Sequence, residues 1–150
     1  MTCYLDTSAL CKIYHRESGT ETMLAIYAGD QNIQISELVR LEFLATTMRK
    51  FREGQLDRKT HQALLERFEE DARQRYELLH FSSLVVEETA RVLATHGRQT
   101  ALRTLDAIQL AFYNIYCEED TVFVCSDQRL VALLEREGRP RLNPQTAVDG

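Results

Sequence analysis

Tryptophan is absent from this 150-residue sequence, and proline occurs only at Pro140 and Pro144. Both lie near the end, so no proline interrupts a helix or strand before residue 140. No apolar run is long enough to cross a bilayer. The N-terminus lacks a basic segment followed by a long apolar stretch and a small-residue cleavage site, so a cytoplasmic location is expected. The four cysteines, Cys3, Cys11, Cys117 and Cys125, form no C-x-x-C pair. The four histidines, His15, His61, His80 and His96, form no H-x-x-x-H pair. A zinc site is therefore not expected, and the thiols read as buried and reduced. There is no Walker loop, no G-x-G-x-x-G and no G-x-S-x-G. An excess of positive charge is missing too, since the formal net charge is -5 and the pI about 5.4. That excludes a protein that binds nucleic acid simply by neutralising phosphates. It leaves room for an enzyme whose acids carry divalent cations.

What is present suits one compact domain over residues 1–150, with 44% hydrophobic and 27% charged residues. Residues 3–5 (CYL) read as a buried strand. A helix follows from Ser8, with Leu10, Ile13 and Tyr14 on one face and Lys12, His15 and Arg16 away from it. Ser18-Gly19 breaks it, and Thr20 is the expected cap of a second helix ending at Gly29-Asp30. "NIQIS" (32–36) alternates as a strand, and Ser36 caps the helix "ELVRLEFLATTMRKF". Asp57 caps "RKTHQALLERFEEDARQRY". "ELLHF" (77–81) is a strand, Ser82 or Ser83 opens "LVVEETARVLATH", and Gly97 stops it. Thr104 is the expected cap of the most apolar helix, "TLDAIQLAFYNIY". "TVFVC" (121–125) is the clearest strand. Ser126 is the expected cap of "DQRLVALLERE", and "RLNP" (141–144) is a last edge strand. The order β-α-α-β-α-α-β-α-α-β-α-β with continuous apolar strands gives an α/β fold: a mainly parallel sheet covered on both faces.

Ligands of such sheets bind beyond the C-terminal ends of the strands. Asp6 ends the first strand, and Asp127 follows the "TVFVC" strand. Asp106 lies in the first turn of a helix whose expected inward face is Leu105, Ile108, Phe112 and Ile115. Glu42 lies at the edge of an expected apolar stripe of Leu38, Leu41, Ala45 and Met48, where a lone carboxylate is costly. Each acid alone reads equally well as a cap, a first-turn residue or a solvated charge. Glu37 rivals Glu42, with capping as its expected job. Together the four supply hard oxygen donors of the kind that Mg2+ or Mn2+ prefers. Ions so held lower the pKa of bound water and neutralise charge on phosphate oxygens. Ser8 and Ser126 sit beside Asp6 and Asp127, as helix caps or as donors that orient the acids. Lys12, Arg16 and Arg40 are candidate phosphate contacts, with Arg49, Lys50 and Arg52 extending the track; a solvated helix face is the plainer reading of each.

"YLDTSAL", "SELVRLEFLATTMRK", "TLDAIQLA" and "FVCSDQRL", in this order, resemble the PIN-domain family, and most of all the VapC-type toxins of prokaryotic toxin–antitoxin pairs. The resemblance spans residues 4 to about 134. It implies a three-layer α/β/α sandwich with a mostly parallel central sheet and a Mg2+- or Mn2+-dependent ribonuclease. Its acidic positions fall on Asp6, Glu42, Asp106 and Asp127, of which the last varies most in the family. It also implies an RNA substrate, a small antitoxin partner that blocks the site, and a homodimer. Alternatives are an RNA-processing nuclease without an antitoxin and a non-catalytic PIN-like binding module. A haloacid-dehalogenase-type phosphatase would need Asp-x-Asp, whereas Thr7 and Ser8 follow Asp6. A receiver domain would need an Asp after a middle strand, where "NIQIS" ends in Ser36.

Overall fold

In the computed structural model, described here for residues 1–147, five parallel strands form one sheet in the order β3-β2-β1-β4-β5. In chain order the elements are β1 (Thr2–Leu5), α1 (Thr7–Tyr14), α2 (Thr20–Ala28), β2 (Asn32–Ser36), α3 (Glu37–Arg52) and α4 (Arg58–Gln74). They continue with β3 (Tyr76–Leu79), α5 (Ser83–His96), α6 (Thr104–Tyr116), β4 (Val122–Val124), α7 (Gln128–Arg136) and β5 (Arg141–Leu142). The expected order of strands and helices is the observed one. The strand read at 77–81 starts one residue earlier and stops at Leu79, and the edge strand read at 141–144 is reduced to Arg141–Leu142.

Side chains alternate across the sheet with the period-two pleat. Cys3, Leu5, Ile33, Ile35 and Val124 pack on one face with Leu10, Phe43 and Phe68 of α1, α3 and α4. Tyr4, Phe123 and Cys125 pack on the other with Leu110, Phe112 and Leu133 of α6 and α7. Two separate cores on the two faces of one sheet make the three-layer α/β/α sandwich. The chain winds outward from β1 through β2 to β3 and then crosses back to β4 on the other side of β1. The strand order therefore reverses between β1 and β4, which is where open α/β sheets form a ligand crevice.

Several local expectations are corrected. Thr20, Thr104 and Ser126 are not caps; Gly19, Arg103 and Asp127 take those positions. Gly19 has φ 91°, and a Cβ there would come within 2.9 Å of the Pro144 backbone, so only glycine fits this corner. The expected stripe of α3 is mostly turned outward. Leu41 and Met48 are 59% and 43% exposed, while Leu38, Val39, Phe43, Thr47 and Lys50 are buried. Likewise Leu105 of α6 is exposed, and Ala107, Gln109, Leu110, Ala111, Phe112 and Tyr113 are buried. A helix in this sandwich buries whichever side faces the sheet, and polar residues join that side when a neighbouring helix supplies partners. Lys12 was expected to point away from the core of α1 and is instead buried.

Candidate active site

The reversal point places Asp6 and Asp127 as neighbours across the sheet edge. The Asp6 N–H donates to the Val124 carbonyl at 3.1 Å, so β1 and β4 remain paired up to the acid. Asp6 is also the N-cap of α1, accepting from the Ala9 N–H at 2.9 Å. Asp127 caps α7, accepting from the Arg129 N–H at 2.8 Å. Capping and lining the site are thus done by the same two carboxylates.

A cleft of about 470 Å³ opens here, lined by Asp6, Glu42, Asp106 and Asp127. All four acids picked out in the sequence therefore share one cavity. Each of three of them has one oxygen held and the other left open. In Asp6, Oδ1 takes both the Ala9 N–H and the Ser8 hydroxyl, the latter at 2.7 Å. In Glu42, Oε1 takes the Thr7 hydroxyl at 2.8 Å and the Gln109 Nε2 at 2.9 Å. In Asp127, Oδ1 takes the helix N–H at 2.8 Å. No hydrogen bond to Asp6 Oδ2, Glu42 Oε2 or Asp127 Oδ2 forms among the described residues.

The supporting contacts run deeper. The Ser126 N–H donates to Ser8 Oγ at 3.0 Å, which aims the Ser8 hydroxyl proton at Asp6. Ser8 is not a helix cap, a position Asp6 takes, but a donor that orients that acid; Ser126 acts through its backbone, and its own hydroxyl is buried without a partner among the described residues. Gln109 was not singled out from the sequence. It receives the Tyr4 hydroxyl on Oε1 and passes Nε2 to Glu42, linking the core to the cleft. Its signal was a glutamine in the most apolar helix, three residues after Asp106; in the structure it is only 3% exposed.

Burial of Asp6 pushes its carboxyl from the ordinary 3.8 up to about 7, with the charges of Glu42 and Asp127 adding to the rise. The bonds from Ser8 and Ala9 oppose this but do not cancel it. Asp106 is handled differently: Arg103 Nε lies 3.1 Å from its Oδ2, and the same guanidinium reaches to 3.9 Å from Asp127 Oδ2. Arg103 was also not foreseen. Its side chain is 69% exposed and bridges the two acids, donating from Nε and Nη2 to the two oxygens of Asp106. Among the described residues, no three His, Cys, Asp or Glu side chains are gathered into a ready-made metal ligand set.

The candidate phosphate contacts separate into two groups. Lys12, Arg49 and Lys50 line the cleft. Arg16 and Arg40 do not: exposed Arg16 pairs with Glu21 at 3.1 Å, and Arg40 pairs with Glu69 at 2.8 Å. Glu37, the rival of Glu42, is held by the Phe81 N–H at 2.7 Å and lies outside the cleft.

A parallel sheet with four acids at its reversal point defines an α/β/α protein with an acidic cleft. The sequence matches the PIN domain over residues 3–130, and the chain belongs to that family, whose members are generally nucleases. No curated protein matches it significantly in sequence. Solved structures are similar in fold. FitAcB from Neisseria gonorrhoeae has a TM-score of 0.70 at 16% identity, covering 97% of this chain and 99% of that one. VapBC2 from Rickettsia felis, bound to a DNA fragment from its promoter, has a TM-score of 0.65 at 16% identity, covering 95% and 98%. VapBC-1 from nontypeable Haemophilus influenzae has a TM-score of 0.61 at 11% identity, covering 97% and 100%. Likeness at such identities establishes the fold.

Proposed function

We propose that the protein is a divalent-cation-dependent endoribonuclease and the toxin of a type II toxin–antitoxin pair. The observation that carries this reading is the set of half-anchored carboxylates in the cleft. Asp6, Glu42 and Asp127 each have one oxygen fixed by hydrogen bonds and one that accepts none among the described residues, with Arg103 3.9 Å from that of Asp127. A carboxylate serving only as a helix cap has no need of a second, buried support such as the Ser8–Ser126 relay or the Tyr4–Gln109 link. Arg103, which lies between Asp106 and Asp127, supports it further, since a positive group already sits among these acids.

The donor set fits Mg2+ or Mn2+, with Asp6, Glu42 and Asp106 as main ligands and Asp127 completing the site. Such an ion would supply Lewis acidity toward a phosphate oxygen and make water a stronger nucleophile. The chain's own residues do the positioning. Ser8 and the Ala9 N–H hold Asp6; Thr7 and Gln109 hold Glu42. Arg103 leaves the acids for solvent or for a phosphate oxygen. In the reaction, water adds to phosphorus, one P–O ester bond breaks, and the departing oxygen takes a proton.

An antitoxin that blocks the cleft and a homodimer belong to the same reading. A similar structure from Klebsiella pneumoniae is a toxin–antitoxin complex, which motivates the antitoxin; the homodimer rests on the family resemblance alone. The outward-facing Leu41 and Met48 of α3 and Leu84 and Val86 of α5 give apolar surface for protein partners. Among the described residues no helix is long and apolar enough to cross a membrane, and a cytoplasmic location fits the reduced thiols.

The test is cleavage of total RNA with Mg2+ or Mn2+, followed by mapping of the cut ends. Asp6→Asn and Asp106→Asn should abolish cleavage with the fold intact. Full activity in both variants, or cleavage that EDTA does not touch, would sink the reading.

A further inference from the structure

The acids occupy one end of the cleft, and a second charge cluster lies further along the same two helices. On α3, Glu42, Thr46, Arg49 and Lys50 all line the cleft, at the spacing of one helical face. On α1 the lining residues are Thr7, Ser8, Cys11 and Lys12. Lys12 lies six residues beyond Asp6, about 9 Å along the helix axis. Both walls thus pass from acidic to basic in the same direction.

Lys12 is 3% exposed and Lys50 is 9% exposed, a costly placement for two ammonium groups. They share one counter-ion, Glu17. Its Oε1 lies 3.2 Å from Lys12 Nζ and its Oε2 lies 3.8 Å from Lys50 Nζ. Lys50 Nζ also donates to His15 Nδ1 at 3.1 Å. At this end of the cleft two buried ammonium groups face one carboxylate, and Arg49 adds a further positive charge, while the other acids lie at the opposite end. A purely structural pair would be closed off, but these groups line the same cleft as the acids, and the Glu17 side chain is 34% exposed. The Glu17 backbone is pinned separately. Its N–H donates to Thr20 Oγ1 at 2.9 Å, and the Thr20 hydroxyl donates to the Lys12 carbonyl at 2.9 Å. The carboxylate can therefore swing out without moving the loop.

A carboxylate that offers one oxygen to each of two ammonium groups imitates two oxygens of a phosphodiester. We propose that Lys12 and Lys50 bind a backbone phosphate of the RNA strand next to the scissile one, and that Glu17 fills this pocket in the free protein as a removable stand-in. The proposal rests on the nuclease reading above and adds to it how the strand is held. Binding exchanges one anion for another, so the lysines are never left without a partner. Glu17 then moves into water, where its charge costs least.

The test measures binding of a short fluorescein-labelled single-stranded RNA of mixed sequence by anisotropy, in EDTA so that no cleavage intervenes. Glu17→Gln should bind about tenfold tighter than wild type, on the scale of one charge-assisted hydrogen bond. Lys12→Met and Lys50→Met should each bind about tenfold more weakly, with the salt dependence flattened by about 0.7 in the log–log slope for each lost phosphate contact. A second readout separates this from loss of folding. Glu17→Gln should melt lower than wild type without anions, and inorganic phosphate should raise its melting temperature more than that of wild type. Glu17→Gln binding as weakly as the lysine variants, or gaining no extra stability from phosphate, would make the cluster a structural ion pair and overturn the proposal. Lysine variants that bind like wild type would overturn it while the nuclease reading stands. Wild-type protein that neither binds RNA in EDTA nor cleaves it with Mn2+ would overturn both.

Discussion

The two ends of the cleft solve the same problem with opposite signs. At the sheet edge, carboxylates are crowded together, and Arg103 partly neutralises them. Further along α1 and α3, two buried lysines are crowded together, and Glu17 partly neutralises them. In each case the compensating side chain is more exposed than most of the groups it serves. The difference lies in the support beneath. The acids at the strand and helix ends are anchored by backbone N–H groups, Ser8, Thr7 and Gln109. The lysines stand at the C-terminal ends of their helices, where the dipole favours cations, and have less fixed support. Rigid anchoring suits a site that must hold an ion in a set geometry. Looser anchoring suits a site that must accept a flexible strand.

The largest way to break this comparison is to remove an anchored acid. Asp6→Asn should lower RNA cleavage by at least about 10³-fold, since an ion at such a site supplies several kcal/mol of transition-state stabilisation. The same substitution should raise the melting temperature of the metal-free protein above neutral pH, because it removes a buried charge. A fall in melting temperature would contradict the assigned cost of Asp6.

Removing support under an acid should cost less. Gln109→Leu leaves Glu42 without one of its two donors and strands the Tyr4 hydroxyl. Mn2+ affinity, followed by titration calorimetry, should fall about 10- to 100-fold. An unchanged affinity would show that Glu42 is not held for an ion.

A third effect comes from protons. The Asp6 carboxyl sits at about 7 in the free protein, raised by burial. Its native state therefore binds a proton more tightly than the unfolded chain does. Its contribution to stability is favourable below the ordinary 3.8, and is lost as pH rises through about 7. Ion binding competes with that proton, so Mn2+ affinity should drop by up to about tenfold per pH unit below 7 and level off above it. Flat affinity between pH 5 and about 8 would contradict this. The smallest effect should come from Arg103→Ala. Removing the exposed competitor should tighten Mn2+ binding a few-fold by equilibrium dialysis; weaker binding would mean that Arg103 helps to build the site.

The succession of strands and helices along the chain, the mainly parallel sheet and the four acids of the cleft were legible in the sequence; the spatial order of the strands was not. Strand and helix signals are local, and the crevice rule then converts topology into a site. The helix faces were less legible. Leu41, Ala45 and Met48 make an apolar stripe at helical spacing, yet Val39, Phe43 and Thr47 pack inward. Two rows competed, and only the sheet decides between them. Lys12 looked solvated because its partner, Glu17, lies in the following loop, and burial by a distant counter-ion leaves no periodic trace. Arg103 and Gln109 were passed over for a similar reason. Arg103 meets Asp106 within one helical turn, but its reach to Asp127 and that of Gln109 to Glu42 run between elements, and a single residue type does not announce it. The Ser-Asp pair at 126–127 misled in a narrower way: either residue can cap a helix, and the acid does so here.

The half-anchored acids at the sheet edge are proposed as a cation site. Calorimetric titration of Mn2+ into the wild-type protein and Asp6→Asn, both at a pH above 7, tests it most directly. The account predicts saturable binding to wild type, and at least about 100-fold weaker binding to the variant with its fold retained. Equal binding to the two proteins, or none to wild type, would contradict it.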